Sequence, residues 1–298
     1  MSSLVRGRRT VGAGLFAALV AAATIAAQAG TDGKGFMWRV ERAGQIGWLV
    51  GSIHVLTPEY YPLPDTMQKA FLRSATVLEE ADLREMASPE VLNLMRTKAI
   101  YAGGETLKTS VSAETYQLAA DRAAKIGLPM EAVDRMRPWL MTLTLVAAEM
   151  KAAGFDPALG VDRHFFEKSE RMGKEFRTLE SMADQLEIFA GFSPQFQEAM
   201  LRDTLKSLDD EIGQMQTVAK AWHSGDAETI ERLVLGSIMK EPAFYDAVIV
   251  KRNRNWVPKI EACLNEGHCF VVVGAAHLLG PDGLLATLKQ KGYTVEQE

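Results

Sequence analysis

Two histidines end matching phrases. Trp48-Leu49-Val50 runs into Gly51-Ser52-Ile53-His54, and Phe270-Val271-Val272-Val273 runs into Gly274-Ala275-Ala276-His277. Each is an unbroken apolar run, which suits a strand covered on both faces, followed by Gly, two small or apolar residues and His. Open α/β sheets bind ligands beyond the carboxyl ends of their strands, where these imidazoles stand. Imidazole is the side chain that ligates metals and moves protons near neutral pH. If the two strands are neighbours, residues 223 positions apart in sequence aim into one crevice. The plainer reading is two ordinary strand-end histidines.

Three other groups could join them. Glu79-Glu80-Ala81-Asp82 closes a further apolar run, and strand alternation puts Glu80 and Asp82 on one face with Glu79 opposed. Taken alone, such acids read as a solvated strand end. Glu180 follows another short run, Phe176–Leu179. Lys251-Arg252-Asn253-Arg254-Asn255-Trp256 sets three cations and two amides in an otherwise amphipathic helical pattern. Two readings stand for it: a basic surface turn, or an Arg-Asn pair directed into the crevice, where the guanidinium would pair with a carboxylate or a developing oxyanion. His164 and Glu167, three apart on one helical pattern, read as a surface pair. His223 and His268 carry no signal.

The elements that must position these groups can be read in order. Residues 1–29 have the plan of a signal peptide: Arg6, Arg8 and Arg9, an Ala-rich apolar stretch from Val11 to Ala27, and Ala27-Gln28-Ala29 as a cleavage site. Cleavage predicts a periplasmic or secreted protein with no membrane attachment; an uncleaved leader would leave it membrane-anchored. The whole chain carries a net charge of −5, and loss of three leader arginines takes it to −8. An acidic exported protein is a poor partner for nucleic acid. Residues 30–298 read as one domain.

Met37–Glu41 and Ile46–Val50 form a predicted hairpin about Ala43-Gly44, and a helix is predicted from Asp65 to about Arg73. A helical insertion over about 88–250 follows, with starts at Ser88-Pro89, Ser112, Arg137-Pro138, Ser181 and Ser193-Pro194. Two late helices are predicted near Ala227–Met239 and Pro242–Asn265. The last helix, Leu284–Lys289, lies between two strands, an order that suits a crossover and a parallel pair. The fold class is therefore α/β (α+β), a mixed, mostly parallel sheet built from the N- and C-terminal strands. Cys263 and Cys269 flank a turn-like Asn265-Glu266-Gly267, and export predicts a disulfide between them.

Taken together, Gly51–His54, Glu80 with Asp82, Gly160-Val161-Asp162, Leu179-Glu180, Arg252-Asn253 and Val273–Gly280 with Gly283-Leu284 resemble the TraB/GumN family, its bacterial GumN-like branch above all, over residues 35–298. The family includes the Tiki proteins, metal-dependent proteases that use manganese or cobalt. The resemblance implies a metal set of His54, Glu80 and His277, with Arg252 assisting catalysis. It implies a hydrolase of peptide or amide bonds in the periplasm, holding manganese, cobalt or zinc, whose bound water would be acidified. Glu180 or Asp82 would be the spare general base. Asn253, Gly51 and Gly274 would shape the site. The alternative is a periplasmic protein that binds a ligand or metal without turnover. The acidic motif leaves open which of Glu79 and Glu80 faces the site.

Overall fold

The computed structural model describes residues 35–298; the predicted leader and its cleavage site lie outside them. Six strands form one sheet: β1 (Met37–Arg42), β2 (Gln45–Ser52), β3 (Thr76–Glu79), β4 (Glu175–Thr178), β5 (Cys269–Gly274) and β6 (Thr294–Gln297). Their order is β4-β3-β5-β2-β1-β6. β1 and β2 make the expected hairpin, with Arg42 opposite Gln45. Its two loop residues, Ala43 and Gly44, have φ of 51° and 79°. Left-handed conformation at both positions matches the right-handed strand twist in a two-residue turn.

The interior of the sheet is parallel. β5 lies between β2 and β3, with Ser52 beside Gly274 and Glu79 beside Val272. The two Gly-x-x-His phrases are therefore neighbours, and the acidic strand end is the third member of the row. β3 is buried throughout, β2 from Gly47 onward, and β5 up to Gly274, which is partly exposed. That burial explains why they read as continuous apolar runs.

The sequence-based pairing of the last two strands is corrected. β6 pairs antiparallel with β1, not with β5. β5 has no free edge to offer, because β2 and β3 occupy both. The sheet also takes one edge strand, β4, from inside the helical insertion.

The predicted helix starts are found at Pro89, Ala113, Pro138, Met182 and Pro194, and serines 88, 112, 181 and 193 accept N-cap hydrogen bonds. The short helices Leu107–Ser110 and Met130–Arg135 were not expected. The two late helices are not regular. Each contains a π-helical turn, Glu231–Leu235 and Asp246–Val250, and the second continues as Lys251–Glu266. No helix among the described residues is long and apolar enough to cross a membrane. A disulfide joins Cys263 to Cys269, with Cα atoms 5.7 Å apart. It ties the Lys251–Glu266 helix to the start of β5.

Close packing surrounds the first phrase. Trp222 Nε1 donates to the Gly51 carbonyl at 2.6 Å. A Cβ on Gly51 would stand 2.4 Å from the Phe36 ring and 3.0 Å from the Ala275 Cα. Neither the ring, fully buried, nor the backbone can give way cheaply. Gly51→Ala is therefore expected to lower unfolding free energy by about 1–3 kcal/mol, read as a lower denaturant midpoint with an unchanged slope.

Candidate functional site

β5 ends at Gly274, and a one-turn helix, Ala275–Leu278, carries His277 back over the strand end. Asn253 fixes this ring. Its Nδ2 donates to the carbonyls of His277 (3.0 Å) and Asp282 (2.9 Å). Its Oδ1 must then accept, and it lies 2.7 Å from His277 Nδ1. The imidazole proton therefore sits on Nδ1. Nε2 is left with a lone pair, which accepts from Arg252 Nη1 at 3.0 Å. Burial, reinforced by the Arg252 charge, pushes His277 down to about 3. It is neutral at pH 7.

Arg252 is the centre of the arrangement. Its Nη2 donates to Glu80 Oε2 at 2.6 Å and to Glu180 Oε1 at 2.7 Å, and its Nε donates to Glu180 Oε1 at 3.0 Å. Its guanidinium carbon lies 4.5 Å from the centre of the Trp256 ring, whose Nε1 donates to Glu180 Oε2 at 2.9 Å. The basic stretch is thus divided by helical geometry: Arg252, Asn253 and Trp256 turn inward, while Lys251, Arg254 and Asn255 are exposed. Of the two sequence readings of this stretch, the inward one holds for Arg252 and Asn253.

Glu80, immediately after β3, accepts from three donors. Gly274 N–H reaches Oε1 at 2.7 Å, and Gln185 Nε2 joins Arg252 at Oε2 at 3.0 Å. Burial pushes this carboxyl up, but Arg252, the two histidines and the Gly274 amide outweigh it and hold it down at about 2. For Glu180 burial wins over Arg252, and its carboxyl rises above the usual range.

His54 is held differently. Its Nδ1 lies 2.9 Å from Asp162 Oδ2, so Nε2 faces the crevice. The helix Val161–Met172, whose first turn carries Asp162, docks on the strand end through Val161 N–H to the Ile53 carbonyl at 3.0 Å. Gly160 permits this approach, since a Cβ there would stand 2.5 Å from the His54 carbonyl oxygen. Burial pulls the His54 pKa down, yet Asp162, helped by Glu80, raises it to about 9. His54 is an imidazolium at pH 7.

The two rings and the acid converge on one point. A Cβ placed on Gly274 would lie 3.3 Å from Glu80 Oε1, 3.5 Å from His277 Cδ2 and 3.9 Å from His54 Nε2. His54, Glu80, Arg252, Gly274 and His277 all line the same cavity. A larger neighbouring cavity shares His54, Glu80 and Arg252 and adds Asp162, Gln185 and Glu79. Glu79, the last residue of β3, is 2% exposed, with Oε1 unpartnered. Burial, then the charges of Asp162, Glu80 and Asp82, push its carboxyl well above the usual range.

Two sequence expectations need correction. Asp82 is not with Glu80. β3 ends at Glu79, so the alternation that paired them stops, and Asp82 instead caps the turn Leu83–Ala87 and pairs with Arg84 at 2.5 Å. The second concerns the metal set. Both imidazoles have Nδ1 tied to an oxygen acceptor, the orientation that ligating histidines need. However, Arg252 occupies the His277 lone pair and one Glu80 oxygen, and among the described residues no three His, Cys, Asp or Glu side chains stand close enough to hold an ion. As assembled, His54, Glu80 and His277 do not fit a divalent metal. Asp162, Gln185 and Trp256 were given no role by sequence reasoning. Asp162 lay within a quoted motif, and Trp256 lay four positions from Arg252, one helical turn away.

Comparison with known proteins places nearly all of the described chain in one family. The family model described as TraB/PrgY/gumN family matches residues 36–297. The chain is 24% identical to "Uncharacterized protein YbaP" of Escherichia coli (strain K12), over 81% of this chain and 87% of that protein. It is 23% identical to "Metalloprotease TIKI1" of Homo sapiens, over 88% of this chain but 61% of the human protein. It is 24% identical to "Metalloprotease TIKI2" of Xenopus tropicalis, over 89% of this chain and 60% of that one. No solved structure matches.

Two outcomes follow from the geometry. A His whose folded pKa is raised stabilises the fold fully below its unfolded value and loses that contribution as pH climbs through the folded value. The contribution of His54 is thus complete below about pH 6.5 and lost through about pH 9. Wild-type melting temperature is expected to fall across pH 7–9.5 more steeply than that of Asp162→Asn; parallel curves would contradict the pairing. For the metal question, Arg252→Gln removes a cation that competes for His277 and Glu80. Titration calorimetry with manganese or zinc is expected to show tighter binding by this variant than by wild type, provided circular dichroism shows it folded. Equal or weaker binding would show that Arg252 does not block the site.

Proposed function

Because the chain belongs to the TraB/PrgY/gumN family, some of whose relatives are named metalloproteases, we propose that it is a hydrolase of peptide or amide bonds. The observation that carries this reading is the pair of histidines converging with Glu80 beside Gly274, His54 on Asp162, which favours its charged form, and His277 on Arg252, which favours its neutral form. Environments that push two titratable groups apart define an acid and a non-acid in one crevice.

The roles follow from the contacts. Arg252 rests on Glu80, Glu180 and His277. A substrate carbonyl placed beside Gly274 offers its oxygen to this guanidinium, which neutralises the charge that develops there. When Arg252 turns toward the substrate, Glu80 loses its strongest partner and becomes more basic. Glu80 then takes a proton from the attacking water. The water oxygen bonds to the carbonyl carbon, the C–N bond breaks, and the His54 imidazolium gives its proton to the leaving nitrogen. Asp162 holds His54 charged beforehand, and Asn253 keeps His277 neutral and turned toward Arg252. Glu180 and Trp256 carry Arg252 without touching substrate. The disulfide and the signal-peptide plan of residues 1–29 support action outside the cytoplasm, in the periplasm.

The test is turnover of a peptide library by the purified protein, run with chelator and with manganese, cobalt or zinc added, because the named relatives are metalloproteases. Wild type is expected to cleave a subset of peptides. His54→Ala is expected to lose activity about 10²–10⁴-fold while keeping its circular dichroism spectrum. Binding of peptides without cleavage under every metal condition would overturn the hydrolase in favour of a protein that sequesters its ligand.

A further inference from the structure

The cavity that His54, Glu80, Arg252 and His277 roof has a floor of a different character. Val218, Ile230, Val234, Ile238, Val248 and Ile249 form it, all of them aliphatic. Its volume is about 90 Å³. Most of these residues are at least nine-tenths buried. A void lined by methyl groups and left empty weakens a fold, and interiors keep few larger than a water molecule. This one is therefore unusual, and it opens where the reacting groups meet.

Its walls are also unusual. Val234 lies in the π-helical turn Glu231–Leu235, and Val248 and Ile249 lie in the π-helical turn Asp246–Val250. The described residues contain one other such turn, Met95–Ala99. π-helical turns are rare and occur mostly at functional sites. Here two of them face one cavity, and the second leads directly into the helix that carries Arg252. Arg252 Nη1 also donates to the Val248 carbonyl at 3.3 Å, so the apolar wall and the guanidinium are held in register.

We propose that this cavity is a specificity subsite for a branched aliphatic side chain next to the scissile bond. The proposal rests on the hydrolase reading for its account of the bond, but not for the binding of the side chain. A cavity of about 150 Å³ accepts a benzene ring. One of about 90 Å³ takes a valine- or leucine-sized group and refuses an aromatic one. The six floor side chains carry no polar atom, which disfavours charged and amide side chains, whose burial without partners is costly.

The experiment measures binding of N-acetyl-leucine amide, N-acetyl-alanine amide and N-acetyl-phenylalanine amide to the full protein by NMR titration, alongside the peptide-library assay. The leucine compound is expected to bind about tenfold or more tighter than either of the others. Val234→Phe fills the cavity and is expected to abolish that advantage. Val234→Ala enlarges it, and is expected to bring the phenylalanine compound to within about threefold of the leucine one. The second variant keeps the test decisive if the first does not fold. Equal affinity for all three compounds in wild type overturns the subsite, as does an unchanged preference in either folded variant. Library turnover without aliphatic preference removes the subsite and leaves the hydrolase. A leucine preference that follows Val234, without turnover of any peptide, supports the subsite and removes the hydrolase.

Discussion

One buried guanidinium organises this site. Arg252 reaches two carboxylates that do not share an element and an imidazole from a third segment, while its face lies against Trp256. Guanidinium suits this work because its five donors lie in one rigid plane and it never loses its charge. Its neighbours depend on it electrostatically. It holds Glu80 ionised in spite of burial, and it helps keep His277 neutral. Breaking a buried pair by removing one partner strands an uncompensated charge. Two carboxylates would be stranded here, so the arrangement is kept together or lost together.

The fold delivers these groups by simple means. Three adjacent parallel strands end in a row, and they contribute Glu80, Gly274 with His277, and His54. Arg252 and Asn253 arrive on the Lys251–Glu266 helix, which the Cys263–Cys269 disulfide fastens to β5. A single cross-link thereby fixes the helix that supplies the cation to the strand that supplies one imidazole. Asn253 completes the connection by holding His277 through both its backbone and its ring. Asp162 comes from the insertion, on the first turn of a helix whose approach to His54 depends on a glycine at 160.

What could be read from the sequence was what depends on local pattern. The hairpin, the buried runs, the serine caps and the two Gly-x-x-His phrases announce themselves through alternation, periodicity or a turn. Inward-facing Arg252 and Asn253 were legible as anomalies on an amphipathic helix, though the sequence left their direction open. What depends on the whole fold was hidden. β6 pairs with β1 because β5 is enclosed, which no local signal states. Asp82 leaves the face of Glu80 because the strand stops first, and strand ends are the least certain part of any pattern. The implied metal ligands converge in space, yet the sequence could not show that Arg252 would occupy the His277 lone pair and one Glu80 oxygen. The π-helical turns leave no mark in a periodicity computed for ordinary helices.

The account stands on two imidazoles in one crevice holding opposite charge states. Long-range ¹⁵N–¹H correlation spectra of the histidine rings at pH 7 read this directly. The prediction is that His54 shows two protonated nitrogens, and that His277 shows a protonated Nδ1 and a bare Nε2 which stays bare down to about pH 4. Two rings titrating together near pH 6.5 would contradict the account, because neither Asp162 nor Arg252 would then govern the histidine beside it.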